Sequence, residues 1–226
     1  MSLGAYIIYF ILLMIIPLWA QSKVKTTYSK YSKVVTSSSL TGAQVARKIL
    51  DENGLFDVHI EEVKGTLTDH YDPRSKVVRL STGNYHGHSM AAAAVAAHEV
   101  GHAIQDAESY AFLNFRTALV PLASFGSNSA FIIIFAGIIL NSMNLILLGI
   151  IFMSFAVLFQ LITLPVEFNA SSRAMDQLVM TGIITNSEER ETKKVLNAAA
   201  LTYVAAALVA VAELLRFILM FLANRD

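Results

Sequence analysis

The sequence predicts an α+β membrane protein in which four transmembrane helices accompany a small extramembrane domain of helix, antiparallel sheet and helix. Of its 226 residues, 55% are hydrophobic and only 15% are charged, whereas about a quarter of the residues in a soluble domain are charged. Four separate stretches reach the roughly 20 apolar residues that a membrane span needs. Between the first two stretches, residues that alternate in polarity predict strands, and an alanine-rich run predicts a helix.

The boundaries follow from where each apolar stretch begins and ends. The first span is expected at residues 3–20 and a polar segment at 21–117; a hairpin of two spans follows at 118–165. A second polar segment is expected at 166–197 and the last span at 198–222. The first stretch is expected to stay as a span rather than be cleaved as a signal peptide, because no basic residue precedes it and no small-residue cleavage site follows it.

Basic residues predict the orientation of the spans. The turn at 141–144, which joins the two helices of the hairpin, carries no charge, whereas lysines and arginines crowd the two polar segments near the spans. The positive-inside rule therefore predicts a multi-pass protein of the cell membrane, with both polar segments in the cytoplasm and both termini outside. The basic residues are Lys23, Lys25, Lys30, Lys33, Arg173, Arg190, Lys193 and Lys194.

Charge and cysteine content exclude several classes of function. The 17 basic and 17 acidic residues balance, and the sequence has no arginine-rich run, so nucleic acid is not an expected partner. The absence of cysteine from the sequence excludes disulfides, thiolate metal ligands and a cysteine nucleophile. A metal ion would have to be held by histidines and carboxylates.

The polar segment at 21–117 is predicted to contain two helices and three strands. The Ser/Thr/Lys-rich residues 21–40 are expected to form a loop or strand. Thr41 or Ser39 can cap the first helix, and Ser89 can cap the second. The predicted elements are a helix at 43–50, strands at 57–63, 66–70 and 76–81, and a helix at 90–106. The third strand, or its neighbour, is a candidate edge for pairing with an extended peptide.

The second of these helices contains His98-Glu99-Val100-Gly101-His102, which matches the HExxH pattern. Residues four apart lie on one face of a helix, so both imidazoles can reach one metal ion. Glu99 can hydrogen-bond a water molecule on that ion without binding the ion itself, and it can act as a general base. The alternative, a polar pair of histidines on a helix surface, does not explain why the motif lies on a strongly predicted helix beside a membrane.

Glu167 is the best candidate for a third ligand. A catalytic zinc usually takes three protein ligands and keeps one position open for water. Glu167 directly follows the predicted third span, and two membrane crossings between His102 and Glu167 return the chain to the same side. The alternative is that Glu167 only caps a helix after Pro165 through a favourable interaction with the helix dipole.

The sequence resembles the YugP-type neutral zinc metallopeptidase family of bacterial membranes over most of its length, from the first span to the fourth. The resemblance rests on residues 67–74, Leu80-Ser81, residues 94–105 around the HExxH match, and residues 164–168. It implies a gluzincin-like membrane endopeptidase, with one zinc ion per chain on His98, His102 and Glu167 and with Glu99 as general base.

One part of the sequence departs from related membrane HExxH proteases. These proteases carry an aspartate four residues after the glutamate ligand, where this chain has Ser171, and Asn169 stands where the nearest relatives are expected to have aspartate. The side chain that orients a ligand histidine is therefore left open among four candidates. They are Asn169, Ser171, Arg173 and Asp176.

Several other polar residues have local explanations. His86 and His88 could bind metal or stabilise an oxyanion, but a Gly-rich loop is ordinarily polar. His70 and Tyr71 could polarise a substrate carbonyl, although they are more simply turn residues, and His59 is expected to be structural. Two further charged residues fall in the fourth span. Glu213 and Arg216 are expected to form an ion pair one helical turn apart that reaches the outer interface.

The sequence therefore predicts an integral-membrane zinc metalloendopeptidase that cuts membrane or membrane-proximal polypeptides. A non-catalytic zinc-binding scaffold or chaperone adaptor is the alternative, and a closed site with four ligands would favour it. Zinc transport is a weaker third hypothesis, because transporters place ligands inside their spans. The expected partners are a polypeptide substrate and the lipid bilayer; a regulatory membrane partner or self-association stays open.

Overall fold

The computed structural model describes residues 3–223, so the prediction that both termini lie outside the cell concerns residues beyond the described range. Within this range seven helices and three strands follow one another along the chain. They are α1 (Leu3–Tyr31), α2 (Gly42–Glu52), β1 (His59–Val63), β2 (His70–Asp72), β3 (Val77–Ser81), α3 (Thr82–Tyr85), α4 (Met90–Ala107), α5 (Ala111–Ile139), α6 (Met143–Met180) and α7 (Asn186–Ala223).

The chain divides into two compact units. Unit 1 comprises the described residues of Met1–Leu18, Ala111–Pro165 and Tyr203–Asp226. Unit 2 comprises Trp19–Tyr110 and Val166–Thr202. Helices α1, α6 and α7 contribute residues to both units, whereas the three strands and the HExxH helix α4 belong to unit 2.

Four helices, α1, α5, α6 and α7, are long and apolar enough to cross a membrane. In each helix at most 33% of the most apolar 18-residue window is buried by the rest of the protein, so most of these apolar side chains face outward. Outward-facing apolar side chains are expected where lipid surrounds a helix. The predicted number of apolar helices is confirmed, and the side of the membrane that each polar segment occupies stays a prediction.

The last apolar helix carries the ion pair that the sequence predicts. Arg216 Nη2 lies 2.5 Å from Glu213 Oε2 in α7. The Arg216 guanidinium also lies 4.1 Å from the centre of the Phe217 ring, where the ring quadrupole attracts a cation. Both contacts lie within unit 1. They lower the cost of carrying charge in an apolar helix.

The three strands of unit 2 form a mixed sheet in the order β1-β3-β2, which corrects the predicted antiparallel sheet. β2 and β3 pair antiparallel through the turn at 73–76, but β1 pairs parallel with β3. In this order β3 lies at the centre, with four of its five residues buried, and β1 and β2 form the two edges. An extended peptide could therefore pair with β1 or β2 but not with β3.

The second strand also begins later than predicted, at His70 rather than residue 66. Asp69 is the reason, because its carboxylate accepts hydrogen bonds from the backbone N–H of Ser81 at 2.7 Å and from the Asn84 amide at 2.9 Å. A side chain that bonds neighbouring backbone competes with a strand ladder. The short helix α3, which the sequence analysis did not predict, follows Ser81 directly.

Helix α1 continues to Tyr31, where the sequence analysis expected a loop or strand. Along this polar part of the helix one face is shielded from solvent. Ala20 and Tyr31 are buried and Val24 and Tyr28 are partly buried, at the spacing of three or four residues that a helix requires. Tyr28 donates a hydrogen bond to Asn84 Oδ1 at 2.8 Å. Because this segment is rich in serine, threonine and lysine, its composition did not indicate an amphipathic helix.

Helix α6 also continues, through Pro165, where the sequence analysis ended the third span. A proline removes one backbone donor from a helix interior. Beyond it, Val166, Ala170, Ala174 and Leu178 recur every four residues and are fully buried. This buried stripe explains why the helix persists, and it places Glu167 inside a helix rather than in its first turn, so the helix-cap alternative is wrong.

The predicted caps hold the two helices at the core of unit 2. Thr41 and Gln44 form a reciprocal capping box at the start of α2. Ser89 Oγ accepts the N–H of Ala92 at the start of α4. The alanine-rich face of α4 is buried in the core of unit 2, which fixes the direction in which its histidines point.

Candidate metal centre

Helix α4 presents both histidines of the HExxH motif on one face. The ring centroids of His98 and His102 lie 4.8 Å apart, with an angle of 83° between the ring planes. Both rings are about one-eighth exposed, whereas Glu99 is almost fully buried. This is the arrangement that the four-residue spacing predicts.

Glu167 of α6 brings a carboxylate to the same place. Its Oε2 lies 3.3 Å from His98 Nε2 and 3.6 Å from His102 Nε2, and the residue is 2% exposed. These three residues form the one group in the described part of the chain whose histidine and carboxylate atoms, each within 4.8 Å of the others, could hold a metal ion. All three belong to unit 2.

The donor set fits zinc. Zinc binds histidine nitrogen and carboxylate oxygen at about 2.0–2.2 Å in tetrahedral geometry, which places neighbouring donors roughly 3.3–3.6 Å apart. The separations of 3.3 Å and 3.6 Å from Glu167 Oε2 match that spacing. Three protein donors are also the number found in catalytic zinc sites, which keep a fourth position for water or substrate.

Ionisation of the site is shaped by its burial. Burial raises the pKa of the Glu99 carboxyl above its ordinary value, although the neighbouring histidines oppose the change. Burial opposes protonation of His102, but hydrogen bonding to Glu167 and the nearby Glu99 outweigh it and raise the pKa of this imidazole. A carboxyl with a raised pKa is suited to accept and return a proton near neutral pH.

Helices α4 and α6 approach closely at Gly101. A Cβ atom on Gly101 would lie 2.6 Å from the carbonyl oxygen of Ala170, which is closer than side chains and backbone pack. Gly101 lies between Glu99 and His102, and Ala170 lies one turn after Glu167. The glycine inside the motif therefore lets the two helices approach closely enough to bring the three donors together.

We expect Gly101→Ala to destabilise the protein although alanine favours helices, because the added methyl group forces α6 away from α4. Overpacking of this kind costs about 1–3 kcal/mol. Thermal unfolding of the purified protein, with and without added zinc, measures the loss, and zinc should stabilise the variant less than the wild type.

The matched control is Gly83→Ala. Its Cβ would lie 3.6 Å from the Tyr28 hydroxyl, an ordinary van der Waals contact. This variant should unfold close to the wild-type temperature. Equal unfolding temperatures for Gly101→Ala and wild type would contradict the role given to the close approach.

The structure separates the four candidates for orienting a ligand histidine. Ser171 Oγ lies 3.2 Å from His98 Nδ1. The Asn169 side chain bonds elsewhere, because its Oδ1 accepts hydrogen bonds from Gln105 Nε2 and from Arg173 Nε. Asp176 lines a surface cleft together with Arg173. Ser171 therefore contacts the candidate ligand His98 directly, and Asn169 and Arg173 connect to His102 through Gln105.

Gln105 is the site residue that the sequence analysis missed. It is fully buried, and its Oε1 lies 3.0 Å from His102 Nδ1. One signal could have found it: Gln105 follows His102 by three residues, which places both side chains on the same helix face. A buried amide needs hydrogen-bond partners, and one of its partners is a ligand histidine.

The remaining histidines singled out in the sequence have partners elsewhere. His86 Nε2 lies 3.1 Å from Glu62 Oε2, and His88 Nδ1 lies 2.7 Å from the Ser39 carbonyl oxygen. His70 Nδ1 lies 2.9 Å from the Thr68 carbonyl oxygen. His86 and His88 lie in the loop before α4, as predicted, whereas His70 begins strand β2 and does not lie in a turn.

Comparison with known proteins identifies the family to which this chain belongs. The family described as "Putative neutral zinc metallopeptidase" matches residues 6–222. A curated protein of Bacillus subtilis (strain 168), named "Putative membrane protease YugP", is 59% identical over 208 residues, which cover 92% of each chain. No solved structure matches. With nearly its whole length matched, the chain belongs to this neutral zinc metallopeptidase family.

Proposed function

We propose that this protein is an integral-membrane zinc metalloendopeptidase. The observation that carries the proposal is the convergence of His98, His102 and Glu167 on one point, beside the buried carboxylate of Glu99. Membership of a family described as zinc metallopeptidases, and a close relative named as a membrane protease, support the same conclusion.

His98, His102 and Glu167 would hold one zinc ion per chain. A zinc ion held by them would supply a Lewis acid that polarises a carbonyl group and lowers the pKa of water towards about 7. Glu99 then takes one proton from the attacking water, whose oxygen forms a bond to the peptide carbonyl carbon. When the C–N bond breaks, Glu99 gives that proton to the leaving nitrogen, so one water molecule is consumed for each peptide bond.

The proposed substrates are membrane or membrane-proximal polypeptides cut at the cytoplasmic face. Unit 2, which holds the site, also holds the basic residues that favour a cytoplasmic location, including Lys23, Lys25 and Arg173. Edge strands β1 and β2 offer unpaired backbone groups to which an extended peptide can bond with little sequence preference. Such binding would admit many unfolded segments.

Purified protein in detergent tests the proposal. With casein or an unfolded membrane protein as substrate, we expect cleavage that a zinc chelator abolishes and that one equivalent of zinc restores. A protein that binds zinc at this site but leaves both substrates intact after long incubation would favour the zinc-binding scaffold instead.

A further inference from the structure

The contacts of Gln105 form one continuous chain of hydrogen bonds within unit 2. Gln105 Oε1 lies 3.0 Å from His102 Nδ1, and Gln105 Nε2 lies 2.8 Å from the Val166 carbonyl oxygen and 2.9 Å from Asn169 Oδ1. Asn169 Oδ1 also accepts from Arg173 Nε at 2.7 Å. These hydrogen bonds therefore connect α4 to α6 next to His102.

Two acceptors determine which way the Gln105 amide points. The Val166 carbonyl oxygen can only accept, and Arg173 can only donate, so the atom of Asn169 that faces Arg173 must be its oxygen. Both groups that face Gln105 from α6 are thus acceptors, and the Gln105 NH₂ group must point at them. Its oxygen is left to face His102.

An oxygen facing His102 Nδ1 determines the protonation of that ring. Gln105 Oε1 accepts but cannot donate, so His102 Nδ1 must carry a hydrogen. In the neutral imidazole the lone pair then lies on Nε2, the nitrogen that faces Glu167 at 3.6 Å. His98 differs, because Ser171 Oγ at its Nδ1 can donate or accept and imposes neither tautomer.

The series of hydrogen bonds that begins at His102 ends in an ion pair between Arg173 and Glu108. Arg173 Nη2 donates to Glu108 Oε2 at 2.6 Å, and Arg173 Nε donates to Asn169 Oδ1. The two bonds hold the guanidinium group in a defined position. A charged donor makes a stronger hydrogen bond than a neutral one. Arg173 therefore holds the Asn169 oxygen towards Gln105.

We propose that Gln105 is a positioning residue that holds His102 in the one neutral tautomer able to bind zinc through Nε2, and that Asn169 and Arg173 hold Gln105 in the required orientation. The proposal rests on the zinc site of the proposed function. It gives Asn169 a role, because its side-chain oxygen accepts the hydrogen bonds of both Gln105 and Arg173.

The test measures zinc affinity of the full-length protein in detergent by competition with a chromophoric chelator. Gln105→Met keeps the volume of the side chain but removes every hydrogen bond. Loss of a group that orients a ligand histidine typically costs 10–100-fold in metal affinity, and we expect a loss in that range. The matched control is Gln177→Met, the same change in the same unit. It removes the hydrogen bond that Asn53 Nδ2 donates to Gln177 Oε1 and should leave zinc affinity at the wild-type value.

A second variant covers the case in which Gln105→Met does not fold. Asn169→Leu leaves Gln105 in place but removes one of the two acceptors that orient it, so zinc affinity should fall by a smaller factor, roughly three- to tenfold. Nitrogen chemical shifts of labelled histidine in the zinc-free protein provide a further measurement. Recorded at a pH at which the imidazole is neutral, they should report a hydrogen on His102 Nδ1 in wild type and a mixture of tautomers in Asn169→Leu.

The outcomes separate this proposal from the proposed function. Wild-type zinc affinity in a folded Gln105→Met or Asn169→Leu protein, or equal losses in Gln177→Met, would overturn the positioning role whatever the peptidase activity. If the wild-type protein binds zinc tightly and the Gln105 variant does not, the positioning role stands even when no peptide is cut.

Discussion

Replacement of Glu99 by glutamine should abolish peptide cleavage while leaving zinc binding intact. The amide is the same size as the carboxylate but cannot accept the proton of the attacking water at neutral pH. General acid–base catalysis contributes roughly 10²- to 10⁴-fold, and we expect kcat to fall by about 10³-fold, which is about 4 kcal/mol of barrier. The measurement is cleavage of a fluorogenic casein derivative by zinc-loaded protein.

Two controls make this result specific. Zinc content should stay at one equivalent, because Glu99 is not among the three donors that converge. Asp106→Asn makes the same change of carboxylate to amide on the same helix, and asparagine can still accept the hydrogen bond from Tyr71. This control should retain wild-type activity; full activity in Glu99→Gln would exclude the mechanism.

Replacement of Glu167 by alanine should remove zinc from the protein. The substitution deletes the only carboxylate among the three converging donors of the described chain and leaves two imidazoles, which hold a zinc ion far more weakly. Loss of a ligand should exceed the 10–100-fold effect of losing a group that merely orients one. Dialysis against a weak chelator followed by metal analysis should find one equivalent of zinc in the wild type and almost none in the variant.

A second glutamate offers a matched comparison. Glu62 also pairs with a histidine, His86, at 3.1 Å, but on an exposed surface outside the three-donor group. Glu62→Ala should retain one equivalent of zinc and full cleavage activity. Retention of zinc by Glu167→Ala would remove this residue from the site and leave only two of the proposed ligands.

Local periodicity explains why much of the candidate site could be predicted. A four-residue spacing places His98 and His102 together in any helix, and the run of alanines around them makes a helix the favoured structure. Apolar length identified four helices in the same way. Each inference needs only neighbouring residues, and each agrees with the structure.

Elements that depend on distant partners were predicted less well. Residues 21–31 are polar in composition, yet their buried face makes them part of α1. Pro165 usually ends a helix, but the stripe from Val166 to Leu178 is buried against other elements, and its packing outweighs one lost hydrogen bond. The parallel pairing of β1 with β3 likewise could not follow from alternation, which has the same period in both kinds of sheet.

Composition and spacing within one helical turn were enough to predict the four apolar helices, the HExxH helix and the type of metal donor. Three further features became visible in the folded chain: Glu167 meets the two histidines, Gly101 permits the close approach of α4 and α6, and Gln105 faces His102. These contacts join residues more than sixty positions apart or depend on which partner saturates a buried amide. Tertiary packing determines these contacts, and local sequence patterns do not reveal them.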